Sequence, residues 1–90
     1  MLPSIWSYCT NTTQSNAMGV TVGDIDYYFS YRTLVAFRAP GAGLVVREND
    51  WGPTTGKHLN AIDDGDKADR VGVEEFQRLL AATSYSASQD

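Results

Sequence analysis

Two β-rich runs on either side of a tight turn are the feature that most constrains the fold of this chain. The first run, residues 29–38, alternates large apolar residues with smaller or polar ones, and residues 44–49 continue the alternation. Between them, residues 39–43 contain one proline and two glycines, which supply the fixed and the positive φ angles that tight turns require. The sequence therefore predicts an antiparallel β-hairpin over residues 29–49.

The alternation within residues 29–38 also predicts which side chains face the core, because successive residues of a strand point to opposite faces. One predicted face consists of Phe29, Tyr31, Thr33, Val35 and Phe37. The other consists of Ser30, Arg32, Leu34, Ala36 and Arg38. We expect the first face to lie in the core and the second to stay partly solvated, as an antiparallel sheet permits.

A two-stranded hairpin is marginally stable alone in water, so other elements are expected to cover it. The apolar residues with helical spacing are Val73, Phe76, Leu79 and Leu80. They predict a helix over residues 73–83, with Glu74 paired to Arg78. Residues 55–62 fit either a short helix capped by Thr54 or Thr55, which we favour, or a third strand. The predicted class is α+β: a small antiparallel β-hairpin or three-stranded sheet packed by a C-terminal helix and a short second helix.

The chain is predicted to form one domain over residues 19–84, with an N-terminal tail at residues 1–18 and a frayed end at residues 85–90. No apolar run approaches the roughly 20 residues that cross a bilayer, and the first residues lack the pattern of a secretory signal. The single cysteine, Cys9, has no partner for an internal disulfide. These features predict a cytoplasmic protein with no membrane association.

The acidic side chains are concentrated in one short segment of the chain. Six carboxylates lie there against two cations, so the segment holds the whole net charge of −4. These carboxylates belong to Asp63, Asp64, Asp66, Asp69, Glu74 and Glu75. Such a cluster on a compact scaffold imitates the phosphates of nucleic acid and is steered onto a basic surface of a partner. The alternative is an ordinary solvated turn and helix start.

A second hypothesis places a nucleic-acid site on the hairpin. Its residues are Tyr28, Arg32, Arg38 and Arg47. Aromatic rings interleaved with arginines on a sheet stack bases and hold phosphates. Against this, the cations are few, and the tyrosines fit equally well into the core. Direct binding of nucleic acid is therefore the second choice.

Two segments of the sequence resemble a phosphate-binding and a calcium-binding motif but lack residues that these motifs require. Residues 52–57 are one residue shorter than a phosphate-binding loop, and His58 follows where that loop needs Ser or Thr. Alignment of Gly65 with the central glycine of a calcium loop places Ile62 and Val71 at ligand positions, where neither side chain binds a metal. One histidine and one cysteine are also too few for a structural zinc site. No metal and no cofactor is therefore predicted.

A nucleophilic pair of Cys9 and His58 would need an ordered N-terminus and a third group that orients the histidine. We expect His58 instead to be packed or hydrogen-bonded beside Trp51 and Asn60. No catalytic residue is predicted, and the protein is not expected to be an enzyme.

The order of four blocks resembles that of small proteins of unknown function encoded by phages and other mobile elements. The similar stretches are SYRTLVAFR, GLVVREND-WGPTTGKHLNAID and R-x-x-x-EEF-x-x-LL, which lie within residues 28–82. The four blocks in them are residues 29–37, 44–51, 54–62 and 74–80. The resemblance implies a small accessory protein in the cytoplasm of a bacterial or archaeal host, and it transfers no catalytic residue or cofactor. By analogy with anti-CRISPR inhibitors, we expect a non-catalytic protein that occupies a surface of a host protein or nucleoprotein complex.

Overall fold

The chain forms one antiparallel sheet and two helices. The structure is a computed structural model that describes residues 3–8 and 16–88, with side chains as far as residue 83. The elements in these residues are β1 (Ser4–Ser7), β2 (Ala17–Val22), β3 (Ile25–Ser30), β4 (Thr33–Ala39), β5 (Gly43–Val46), α1 (Pro53–Asp63) and α2 (Val73–Ser88). The predicted α+β class is confirmed. The sheet has five strands, where two or three were expected.

Each strand pairs with the next one along the chain, so the sheet is an antiparallel meander. The turn predicted at residues 39–43 is confirmed as the connection between β4 and β5. Ala39 pairs with Gly43, the N–H of Ala42 donates to the carbonyl of Ala39 at 3.2 Å, and Gly41 has a φ of +84°. A positive φ at this place explains why the turn contains glycine.

The single strand predicted over residues 29–38 is wrong, because the chain reverses at Tyr31 and Arg32. Ser30 pairs with Thr33 across this two-residue turn, and Tyr31 has a φ of +57°. A β-bulge follows, in which Val35 is the extra residue between the pairs Tyr28–Ala36 and Phe29–Leu34. The bulge shifts the alternation, so that Val35 and Phe37 lie in different core clusters.

The sheet is covered on both faces. One face, called here the α2 face, carries Phe37 and Val45, which pack with Phe76 of α2. The opposite face, called the α1 face, carries Ala36 and Val46, which pack with Leu59 of α1. The predicted solvation of Ser30 and Ala36 is therefore wrong: they are 1% and 0% exposed, because α1 lies over them.

The predicted tail at residues 1–18 is wrong for the part that the structure describes. Ser4–Ser7 forms the first strand of the sheet, and Ala17 is fully buried. The Trp6 ring lies on Gly19, its Nε1 donates to Thr21 Oγ1 at 2.8 Å, and it meets Tyr28 edge-to-face at 5.2 Å. Residues 1–2 and 9–15, with Cys9, lie outside the described residues.

The chain crosses from one face of the sheet to the other at Val71. The Val71 N–H donates to the carbonyl of Val46 at 2.9 Å, and its carbonyl accepts from Glu48 at 2.8 Å. This parallel bridge occupies the outer edge of β5, and α2 begins two residues later.

The predicted C-terminal helix is confirmed, but it continues to Ser88 rather than ending at residue 83. Residues 85–88 belong to this helix, the fraying expected at residues 85–90 stays a prediction, and residues 89–90 are outside the described part. In that part no helix is both long and apolar enough to cross a membrane.

Candidate functional site

Residues 53–63 are a helix, which resolves the alternatives that the sequence left open. Gly52 occupies the N-cap without a side-chain hydrogen bond, and Pro53 occupies the first turn, where its missing N–H costs nothing. The predicted cap at Thr54 or Thr55 is wrong. The helix ends where Asp64 adopts the left-handed conformation, and this reversal starts the acidic connection to α2.

Asp63 and Arg70 close that connection into a loop. Arg70 Nε donates to Asp63 Oδ2 at 2.7 Å, Arg70 Nη2 donates to Asp63 Oδ1 at 2.9 Å, and Arg70 Nη2 also donates to Asn60 Oδ1 at 3.0 Å. The two charged side chains are 5% and 9% exposed. The hydrogen bond to Asp63 raises the pKa of the Arg70 guanidinium above its ordinary value. Asp63 is thus a structural residue rather than a free surface carboxylate.

The four aspartates of the loop line a groove between the loop and the sheet, called here the acidic groove, and Asp63 is the one that is paired with Arg70. Asp64, Asp66 and Asp69 are exposed along one side of it, and Arg38 lines it from β4. Its apolar lining consists of Leu44, Val46 and Ile62. The groove has a volume of about 340 Å³, enough for one or two side chains of a ligand.

The charges of the groove are largely uncompensated. Asp66 Oδ1 accepts a hydrogen bond from the backbone N–H of Ala68 at 3.2 Å. Among the described residues, Asp64 and Asp69 make no hydrogen bond or ion pair through their side chains, and no ion pair joins Arg38 to these aspartates. Three carboxylates therefore face one arginine in an open groove, and this geometry favours an incoming cation.

Glu74 and Glu75 do not line the acidic groove. They lie in the first turn of α2, which packs on the opposite face of the sheet. Glu75 accepts from Arg78 Nε at 2.9 Å and from Arg78 Nη2 at 2.7 Å, and this pairing lowers the pKa of the Glu75 carboxyl. The predicted pair of Glu74 with Arg78 is wrong, because the partner is three residues away rather than four. The six predicted carboxylates do not form one surface.

The structure disperses the four residues of the predicted nucleic-acid site. Tyr28 is 9% exposed and packs among Trp6, Val35 and Leu59, so its ring is closed to a base. Its three predicted partners differ in their surroundings. Arg32 lies in the β3–β4 turn, Arg38 lines the acidic groove, and Arg47 is paired with Asp50 and stacked at 4.6 Å on the Trp51 ring.

A buried polar cluster at the start of α1 was not predicted. Ser30 Oγ lies 2.7 Å from His58 Nδ1 and 3.0 Å from Thr55 Oγ1, and all three side chains are inside the protein. Rings of Tyr8 and Tyr31 lie 6.2 and 5.9 Å from the His58 ring. The prediction that His58 is packed or hydrogen-bonded is confirmed, but its contacts are with Ser30, Tyr8 and Tyr31 rather than with Trp51 and Asn60. The histidine is 0% exposed, and this cluster fixes α1 to β3.

The cluster gives a stability prediction. Ser30→Ala removes one partner from both His58 and Thr55 in the protein interior, so we expect a loss of about 1–3 kcal/mol in the free energy of unfolding. Urea denaturation followed by circular dichroism measures it. Thr33→Ala, at the exposed end of the neighbouring strand, is the matched control, and an equal effect of both substitutions would contradict this role.

No group of three or more His, Cys, Asp and Glu side chains is placed to hold a metal ion within the described part of the chain. The loop between Asp63 and Arg70 is held by its own hydrogen bonds. The Asp63 side chain accepts from the N–H of Gly65 at 3.1 Å, and the Asp63 carbonyl accepts from Asp66 at 3.0 Å.

Together these features define a class of small α+β protein, in which a five-stranded meander lies between two helices and an acidic loop borders one face. The chain belongs to DUF8033, a family of unknown function, whose model matches residues 3–78. The matched region contains the whole sheet, α1, the acidic loop and the start of α2. Comparisons with curated proteins and with solved structures found no match.

Proposed function

We propose that the protein is a non-catalytic binding protein whose acidic groove receives a lysine- or arginine-bearing segment of a protein partner. The observation that carries this proposal is that Asp64 and Asp69 border an open groove without a counter-ion among the described residues. Carboxylates in such a position attract a basic partner over several ångströms and fix its register on contact.

The apolar lining of the groove supports a long cationic side chain rather than a small ion. Leu44, Val46 and Ile62 line the same space as the carboxylates. Lysine and arginine lay their aliphatic stems along apolar surface while the charged head remains among polar groups. The groove therefore offers contacts to both parts of such a side chain.

The Asp63–Arg70 pair supports the proposal in a different way. It anchors both ends of the loop through two hydrogen bonds between nearly buried side chains. A carboxylate array on a fixed loop loses less conformational entropy on binding than one on a mobile loop. Asp63 thus orients the binding carboxylates without being one of them.

The finer proposal concerns the partner. The basic groove with which a nucleic-acid-handling complex holds phosphates has the charge that complements this surface, and a carboxylate array that occupies it blocks the nucleic acid. The protein would then act as a phage or mobile-element accessory inhibitor of the anti-CRISPR type in the cytoplasm of its host. This step rests on the sequence resemblance. The alternative nucleic-acid site has no such support, because its tyrosine is buried and one of its arginines is paired.

Charge reversal in the groove tests the binding site. The double variant D64K/D69K should lose at least tenfold in affinity for a fluorescein-labelled peptide of arginine and glycine residues, measured by fluorescence polarisation at low salt. The matched control is D24K/E74K, which makes the same change in net charge at exposed positions outside the groove. The control should bind almost as tightly as the wild type. Equal losses in the two variants would show attraction by net charge rather than a site.

The inhibitor proposal has its own experiment. Wild-type protein, D64K/D69K and D24K/E74K serve as immobilised baits in a bacterial lysate. We expect the wild type and the control to capture nucleic-acid-binding proteins that added duplex DNA displaces, whereas D64K/D69K does not. If added DNA does not reduce the capture, nucleic-acid mimicry is contradicted, whereas the proposed binding of a basic peptide in the groove is not.

A further inference from the structure

Helix α2 covers only part of its face of the sheet. One row of paired residues crosses that face from β1 to β5: Ile5, Val20, Tyr27, Phe37 and Val45. Phe37 is fully buried and its ring lies 5.5 Å from Phe76 of α2, whereas Ile5, at the other end of the row, is 71% exposed. Among the described residues, the helix therefore packs over β3–β5, and the β1 end of this face is exposed.

The exposed part of the α2 face, called here the open face, is apolar apart from Ser7. The alternation along β1, β2 and β3 places on it Ile5, Ser7, Met18, Val20, Val22, Tyr27 and Phe29. Ile5 and Val22 are 71% and 47% exposed, and the larger side chains towards β3 are partly buried. None of the seven carries a charge, although 20% of the chain is charged. A continuous uncharged apolar surface on a small protein is typical of a contact site.

We propose that the open face is the contact between two copies of this chain, packed sheet on sheet around a two-fold axis. Helix α2 borders the open face and rises about 10 Å above the sheet, which is the diameter of a helix. Two facing sheets also lie about 10 Å apart. In the proposed dimer, the α2 helix of each copy lies beside the β1 edge of the other copy. A two-fold axis relates the two copies, so the same surface of each copy takes part in the contact.

The distribution of charge over the protein favours this occupant over others. Each copy has a net charge of −4, but the open face carries none of it, so the contact brings no like charges together. A nucleic acid is disfavoured, because no lysine or arginine lies on the open face to neutralise phosphates. The acidic groove lies on the α1 face and stays accessible in both copies, so the dimer would present two grooves.

The size of the open face sets the expected strength. Strands β1, β2 and β3 have four, six and six residues, and with about 4.8 Å between strands and about 3.4 Å per residue they cover roughly 260 Å² in projection. With the flank of α2, we expect about 1,000 Å² of total buried surface, near the lower limit of specific interfaces. The dimer is therefore weak and reversible, with a Kd of about 10–100 µM.

Sedimentation velocity of the full chain from about 2 to about 300 µM tests this dimer. We expect the weight-average mass to rise from monomer towards dimer. The variant I5D should raise the dimer Kd at least tenfold, because two aspartates would be buried at the apolar contact. Ile5 is mostly exposed in the monomer, so circular dichroism should show an unchanged fold.

The control variant is S4D, which adds the same charge to the same strand on the opposite face, where Ser4 is exposed. It should leave the dimer Kd within about twofold of the wild type. Equal losses in S4D and I5D would place the contact at the β1 edge and overturn the proposal. A wild type that stays monomeric at the highest concentration also overturns it, whatever the variants do.

Discussion

Replacing Arg70 by alanine is expected to lower the free energy of unfolding strongly. The substitution leaves the Asp63 carboxylate, 9% exposed, without the cation that holds it in two hydrogen bonds. Removal of one partner of a buried pair costs about 3–5 kcal/mol. For a chain of this length, that loss lowers the melting temperature by about 15 °C or more. Thermal unfolding followed by circular dichroism measures it.

Two variants distinguish the effect of breaking the buried ion pair from the effect of removing an arginine charge. Arg78→Ala removes an exposed arginine that is also paired with a carboxylate, and it should leave the melting temperature unchanged within error, because exposed pairs contribute little. The double variant D63L/R70M replaces both charges with apolar groups and should recover most of the stability that Arg70→Ala loses. A melting temperature of Arg70→Ala equal to that of Arg78→Ala would contradict the structural role of the pair.

The second large effect is expected at Gly19. A Cβ atom at this position would overlap the Trp6 ring, so Gly19→Ala forces the indole off the sheet. Loss of these contacts and of the hydrogen bond to Thr21 should cost about 2 kcal/mol. Without the ring, the same change would stabilise a strand by about 0.5 kcal/mol. The sign of the effect is therefore diagnostic.

A double-mutant cycle with Trp6→Ala measures this coupling. Gly19→Ala should destabilise the wild type in urea denaturation but should be neutral or stabilising in the Trp6→Ala background. Displacement of the indole should also red-shift the tryptophan fluorescence of the Gly19→Ala protein. The matched control, Trp51→Phe, defines the contribution of the other tryptophan to the emission. A destabilisation that persists without Trp6 would contradict the close contact.

The sequence pattern predicts the elements that have strong local signals. The apolar spacing of Phe76, Leu79 and Leu80 defines α2, and the glycines of residues 39–43 define the β4–β5 turn. The turn at Tyr31 and Arg32 has no glycine, asparagine or proline, so the sequence pattern predicts one continuous strand where the structure has two. The sequence does not indicate the four-residue strand β1 either. The strand that pairs with it, β2, contains Gly19, and glycine is a residue type that normally weakens a strand.

The charge count locates the acidic loop, yet it gives all of the carboxylates the same weight. The closed loop decides which of them are free: Asp63 is held by Arg70, seven residues away, whereas side chains that pair along a helix are three or four residues apart. The separation of Glu74 and Glu75 from the groove follows from the crossing of the chain at Val71, and no local pattern indicates that crossing.

The bridge at Val71 has a consequence for the order in which the protein folds. Every strand pair joins neighbours along the chain, and such pairs form fast. The pairing of Arg47 with Val71 must instead wait until α1 and the acidic loop have closed a long segment. Until then, the outer edge of β5 exposes unpaired backbone groups beside apolar side chains, and such an edge templates intermolecular strand pairing. Aggregation during refolding should therefore depend on how quickly the loop between Asp63 and Arg70 closes.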